Sequence, residues 1–413
     1  MSKRKASELL CESEISRGTK SRRLEDGNSI SYPDLTLSHA KAPTPFQKPM
    51  PIISFSYTPS RTLEFNDLAL RYFVDPPIGA QLSYGYDKWI RRPEEKGRID
   101  GLLKALSRVK SNGKVALDDV AVVSWRGVMT RILTAPYEDR DGWELNVMCI
   151  NGTMYFEEHI SNQKLSEKEN MEPRHRKQSY FGYAFESYGT SATPRRPSPK
   201  PGSKDPPGWG GDVDTNVQWC SVVRTKLGNN RLIIGGEVDC VRDRYTGTTD
   251  SFVELKTSLT IRGPHDEAKF EKKLLKFYFQ SFLLGVPEIT VGFRTPSGEV
   301  TTVQSFDTTK IPRLVRGKAG SWDPSICLNW GEEILTFLKK ILQGSDADKA
   351  SVWRVKFVPK EGVTIVKLTD NLVDEVVNGE ERVGFLPKWY WDEMETVATV
   401  AQSTSGSVAG WQI

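Results

Sequence analysis

Histidine is scarce in this 413-residue chain, which holds four, and none lies in an HxxxH or Cys/His cluster. Tetrahedral zinc sites and Ser-His-Asp nucleophiles both need such groupings, so neither chemistry is indicated. Cysteine is equally sparse: Cys11, Cys149, Cys220, Cys240 and Cys327 are odd in number, widely spaced and never in CxxC. That usage argues for reduced thiols in an intracellular compartment. No apolar run approaches the ~18 residues of a membrane span, and the basic N-terminus carries no apolar signal-peptide core. The expectation is neither a membrane protein nor a secreted precursor. The net charge of +4 is too small to mark a nucleic-acid partner, so any attraction for one must be local.

Against these absences stands one rich stretch. Gly235-Gly236-Glu237-Val238-Asp239 is followed, after the polar segment Tyr245–Asp250, by Glu254-Leu255-Lys256. Strand residues two apart share a face, so Glu237 pairs with Asp239 and Glu254 with Lys256. Leu232, Ile233, Ile234, Val238, Val241, Phe252, Val253 and Leu255 are apolar enough to predict a mostly buried β-hairpin. Acids on one strand face are commonly just solvated. In such apolar company, carboxylates are costly to bury uncompensated, and a divalent cation answers that. With oxygen donors available, Mg²⁺ or Mn²⁺ fits better than zinc.

The remaining chain alternates between helical and strand patterns. Residues 1–50 are rich in Ser, Lys, Arg and Pro and read as a disordered basic tail. Its clusters Lys3-Arg4-Lys5 and Lys20-Ser21-Arg22-Arg23 resemble a nuclear import signal. Asp87–Val109 is expected to be helical, with Ile99, Leu102, Leu103 and Leu106 on one face. Strands are expected at 118–135, 143–157 and Ser179–Glu186, then at 287–295, 298–305, 352–358 and 362–367. Helices are expected at 266–284 and 330–343. Residues 188–212, saturated with Pro, Gly and Ser, predict a long exposed loop inserted in a domain, and 396–413 a flexible tail.

Asp239, a gap of about fifteen residues and Glu254-x-Lys256 form the signature of nucleases with the PD-(D/E)xK architecture. In order along the chain, Trp125-Arg126-Gly127, Gly182–Glu186, Glu237-Val238-Asp239, Glu254-Leu255-Lys256 and Phe279–Phe282 resemble the motifs of the DXO-type decapping nuclease family. The resemblance runs from about Phe55 to Trp391; with the basic tail, it is greatest to the fungal nuclear branch that partners a nuclear 5′→3′ exoribonuclease.

The resemblance implies a mixed α/β fold: two β-sheets flanked by helices, a single catalytic domain over 51–395, and a PD-(D/E)xK nuclease-like metal site in a cleft. It implies Glu186, Glu237, Asp239, Glu254 and the Leu255 carbonyl as metal ligands, for two Mg²⁺ or Mn²⁺ ions. Lys256 and Gln280 would hold the nucleophilic water and scissile phosphate, and Arg126 would contact phosphate. The implied activity is removal of pyrophosphate from 5′-triphosphate RNA and of incompletely methylated or NAD caps, in RNA 5′-end quality control. The rivals are a largely non-catalytic activator of the exonuclease and a restriction-like DNA nuclease.

Other charged and aromatic groups have plainer readings. Arg91, Arg92, Lys272, Lys273 and Lys276 are candidates for guiding RNA, which favours aromatics along a basic groove; the three lysines read first as a wet helix face. Glu157-Glu158 reads as a solvated strand end, and Trp389-Tyr390-Trp391 as core or partner surface.

Overall fold

The apolar run Leu232-Ile233-Ile234 is buried on both sides: Leu232 and Ile234 join one hydrophobic cluster and Ile233 the opposite one. A strand buried on both faces belongs in the middle of a sheet. In the computed structural model it does so, as Asn230–Glu237. The residues described are 28–33, 35, 42–113, 119–198, 202–344 and 350–405.

Among these residues the larger sheet has ten strands. Its spatial order is Ser29–Ser31, Gly362–Lys367, Trp353–Val358, Trp143–Ile150, Thr153–Glu158, Val120–Trp125, Asn230–Glu237, Gln218–Leu227, Met50–Tyr57 and Leu63–Glu64. A six-stranded sheet runs Val300–Asp307, Glu288–Arg294, Phe252–Leu259, Cys240–Val241, Tyr72–Phe73 and Thr190–Ser191. Helix Asp100–Asn112 and the start of Lys388–Ser405 cover one face of the larger sheet. Helices Arg126–Thr134, Pro264–Leu284 and Pro324–Gly344 cover the other. Helix Pro264–Leu284 touches strands of both sheets, and helix Pro173–Gly189 packs on the smaller sheet. The expected architecture of two sheets flanked by helices is present. Among the described residues no helix is long and apolar enough to cross a membrane.

Several expected elements are corrected. The acids do not share a hairpin: Glu237 ends a strand of the larger sheet, and Glu254 lies in Phe252–Leu259 of the smaller one. Only Cys240–Val241 pairs with that strand, Cys240 opposite Val253 and Val241 opposite Phe252. The expected strand over 118–135 turns into helix at Arg126, because Val128, Met129, Ile132 and Leu133 repeat with helical period and all become buried. Ser179–Glu186 is likewise helical, its buried Tyr180, Phe181, Ala184, Phe185 and Tyr188 lining one face. Aromatic content had favoured a strand, but the spacing decided the outcome. The helix expected from Asp87 starts at Asp100; Pro93 turns Arg92 away from helical backbone.

At the termini, Ser29–Ser31 pairs antiparallel with Gly362–Lys367 within the expected tail, and Lys388–Ser405 extends helix beyond residue 396. Residues 1–27, with both basic clusters, and 406–413 lie outside the described residues. The elements expected at 143–157, 266–284, 287–305, 330–343 and 352–367 are present with shifted ends. Cys149, Cys220, Cys240 and Cys327 are unpaired, as expected.

Gly235 is an absence of side chain that the packing requires. A Cβ there would meet the Trp125 ring at 2.8 Å and Leu102 at 3.0 Å. Gly235→Ala should therefore destabilise the protein by about 1–3 kcal/mol through overpacking, read as a lower urea midpoint with unchanged slope.

Candidate active site

Strands Val120–Trp125 and Asn230–Glu237 are parallel, with Trp125 in register with Gly235. Arg126, just past the first strand, and Glu237, at the end of the second, consequently lie at one carboxyl edge, the place where open α/β sheets build sites. Gly236 lets them approach, since a Cβ there would press on Arg126 Cβ at 3.0 Å and Leu284 at 2.8 Å. The chain then crosses to the second sheet through Val238-Asp239. Asp239 is fastened there by the Leu255 N–H, which donates to Oδ2 at 2.7 Å. A strand residue's N–H and C=O leave by the same edge, so the Leu255 carbonyl faces this side too.

Glu254 is fully buried and both of its oxygens are engaged: Lys256 Nζ donates to Oε1 at 2.6 Å, and Arg126 Nη1 to Oε2 at 2.9 Å. Glu254 and Lys256 share a strand face, as their spacing predicts. Lys256 Nζ also lies 3.9 Å from Asp239 Oδ2. Glu237 Oε2 accepts from Gln218 Nε2 at 2.7 Å. Glu186 arrives from the last turn of helix Pro173–Gly189.

These groups set one another's acidity. Burial, then repulsion by Asp239 and Glu237, raises Glu186 well above a normal carboxyl. Burial and Glu254 push Asp239 up to about 7 against the pull of Lys256. Burial also raises Glu237, opposed by Arg126 and Gln218. Glu254 moves the other way: burial pushes it up, but Arg126 and Lys256 win and hold it at about 2. The same attractions raise Arg126 and Lys256 despite burial.

Glu186, Glu237 and Asp239 line a cleft of about 660 Å³. Its walls include Trp89, Arg91 and Arg92 from one loop, Arg176 and Tyr183 from the Glu186 helix, and Gly210–Thr215. The last segment corrects the expected exposed loop at its far end: Ser187 Oγ donates to the Gly211 carbonyl at 2.7 Å, and Trp209 packs edge-on to Tyr84 and Tyr188. Gln280 is half-buried on helix Pro264–Leu284, one turn before the Leu284 that packs on Gly236. The structure thus gathers Arg126, Glu186, Glu237, Asp239, Glu254, Leu255 and Lys256.

Other candidates fall elsewhere. Glu157 is not solvated: it is buried on Arg98 at 2.9 Å, and burial lifts it to about 7. Glu158 pairs with Arg131 and borders the cleft. Arg91 pairs with Glu94 and Glu169, and Arg92 with Glu95. Lys273 donates to the Thr257 carbonyl at 2.7 Å and Lys276 to Glu138 at 2.9 Å, while Lys272 is exposed. Tyr390 and Trp391 are core and Trp389 is exposed. Sequence reasoning missed Gln218 and Tyr183. Tyr183 was findable once its segment is read as helix, three residues before Glu186; Gln218 needed the pairing of its strand with Glu237's.

The available donors are carboxylates and a main-chain carbonyl, a set that suits a hard divalent cation. Among the described residues no three acidic, histidine or cysteine side chains already converge as a finished metal shell, and Arg126 and Lys256 engage both oxygens of Glu254. The donor chemistry fits a cation, and those two residues hold part of its place.

An Asp…Glu-x-Lys constellation at the joint of a mixed α/β fold defines a nuclease of the PD-(D/E)xK class. The family model described as RAI1-like PD-(D/E)XK nuclease matches residues 47–391, and the chain belongs to this family of decapping nucleases, hydrolases acting on RNA. It is 35% identical over 356 residues to the decapping nuclease RAI1 of Cryptococcus neoformans, covering 80% of this chain and 91% of that one. It is 34% identical to the human decapping and exoribonuclease protein, covering 85% and 87%. The solved structure of Scheffersomyces stipitis Rai1 in complex with (3′-NADP)⁺ and calcium is similar at a TM-score of 0.72 and 25% identity, over 90% of this chain and 98% of that one.

Asp239 offers a stability test. Its folded value of about 7 exceeds the unperturbed 3.8, so stability present below pH 4 drains away as pH rises through 7. In chelator, Asp239→Asn should raise the unfolding free energy at pH 8 by on the order of 1 kcal/mol and leave it near wild type at pH 4.

Proposed function

We propose that this protein hydrolyses phosphate linkages at RNA 5′ ends with two Mg²⁺ or Mn²⁺ ions, releasing pyrophosphate from triphosphates and cap dinucleotides from incompletely methylated caps. One observation carries the reading: three carboxylates with raised pKa values line one cleft, and two buried cations suited to phosphate lie next to them on Glu254. When bound, a divalent cation neutralises the phosphate and acidifies its water. The protein's own part is binding and orientation. Glu186, Glu237, Asp239, Glu254 and the Leu255 carbonyl would hold the ions. Arg126 presents a planar fork to phosphate oxygens and Lys256 a compact charge. An arriving phosphate competes with Glu254 for both and so frees that carboxylate. Gln280 would help hold the water and the scissile phosphate.

The solved relative carrying a nicotinamide dinucleotide and calcium supports extending the substrates to NAD caps. The basic clusters at Lys3–Lys5 and Lys20–Arg23, with the family resemblance, support a nuclear place in RNA quality control beside a 5′→3′ exoribonuclease.

Glu237→Gln with Asp239→Asn should lower pyrophosphate or GpppN release at least roughly 100-fold. A double variant that keeps its activity refutes the assignment, and wild-type cleavage of duplex DNA but not RNA would favour a restriction-like enzyme. Metal binding must also displace the Asp239 proton. Calorimetric affinity for Mn²⁺ should rise at least about tenfold per pH unit below 7, with buffer-dependent proton release from Asp239 and Glu186.

A further inference from the structure

The helix that carries Glu186 also presents a stripe leading to it. Arg176, Ser179, Tyr183 and Glu186 are three, four and three residues apart, which places them on one helix face. All four line the cleft. The helix buries Tyr180, Phe181, Ala184, Phe185 and Tyr188 in its C-terminal half, while residues before Arg176 are exposed, so the stripe descends from solvent to the acids.

Tyr183 is 38% exposed in this otherwise closely packed wall. Trp89 flanks its ring at 5.8 Å and 39°, and is itself fixed against Tyr180 at 5.4 Å. The phenol ring is thus buttressed on one side and open to the cleft. It stands three residues, about 4.5 Å along the axis, from the Glu186 level. Two donors of cleft-lining residues are unsatisfied: the Trp89 indole N–H and Arg176 Nε are buried without an acceptor. Arg176 is otherwise tied only to the Glu169 main-chain carbonyl, at 2.9 Å, and has no carboxylate in ion-pair range among the described residues. Arg91 and Arg92, which also line the cleft, are already neutralised by Glu94, Glu95 and Glu169.

We propose that this stripe is a track for single-stranded RNA: Tyr183 stacks the base of the nucleotide whose 5′ phosphate meets the acids, and Arg176 takes a phosphate nearer the mouth. This rests on the reading that the acids act at an RNA 5′ end. Every base offers a π-face, so the track is tolerant of sequence but demands an unpaired end. A rigid aromatic already held by Trp89 loses little freedom on binding.

The test uses full-length protein and 5′-triphosphate single-stranded RNA. Tyr183→Leu should raise KM about tenfold with kcat within about twofold, and Tyr183→Phe should restore KM. Arg176→Gln should weaken binding across sequences and lower the salt slope by about one. RNA carrying 2-aminopurine as its first nucleotide should be quenched on binding the wild-type protein in Ca²⁺, a readout independent of any variant's folding. Unchanged KM in a folded Tyr183→Leu, or no quenching, overturns the track while hydrolysis stands. Failure of the wild-type protein to hydrolyse the RNA overturns the underlying function.

Discussion

Glu254 grips Arg126 and Lys256 at once, from a position with no solvent exposure. This three-way ion pair joins a helix of the larger sheet to a strand of the smaller one. It also makes an acidic pocket tolerable in the absence of metal. Removing one partner of such a buried group leaves a charge with nowhere to go, so the members stand or fall together. The remaining carboxylates, Glu186, Glu237 and Asp239, carry negative charge that these two cations do not fully offset. Burial first, and then mutual repulsion, raises their pKa values, and a hard cation is a ligand that would offset both.

The joint between the sheets supplies the geometry for this balance. The strand ending at Glu237 runs parallel to the one ending at Trp125, so a carboxylate and a guanidinium are delivered to one edge. Gly235 and Gly236 remove the side chains that would hold Trp125, Arg126 and Leu284 away. Asp239 then bridges to the second sheet through the Leu255 amide. Close packing of apolar residues on both faces keeps these backbone positions from drifting, which a site made of repelling charges could not achieve alone.

The cleft above is shaped by segments of different origin. The Glu186 helix forms one wall, the loop carrying Trp89 another, and the end of the Pro/Gly-rich insertion a third. Arg91 and Arg92 here are neutralised by neighbouring acids, whereas Arg71 and Arg176 bond main-chain carbonyls. The family relatives, aligned over most of their length, place this construction among decapping nucleases acting on RNA.

By itself the sequence determined the chemistry: Glu237, Asp239, Glu254 and Lys256 announce themselves by spacing of two within apolar runs, and helix 264–284 by its period. For Glu254 and Lys256, and for the helix, local pattern is enough because side-chain direction follows from the backbone repeat, whereas Asp239 lies past its strand's end. What only the tertiary structure decided is which elements meet. Two acid segments that look like one hairpin belong to different sheets, since strand pairing is chosen by long-range packing on both faces. The segment holding Glu186 is helical although its aromatics suit a strand, and Glu157 is buried because Arg98 reaches it from a distant loop. Burial and pairing are properties of neighbours that only folding brings together.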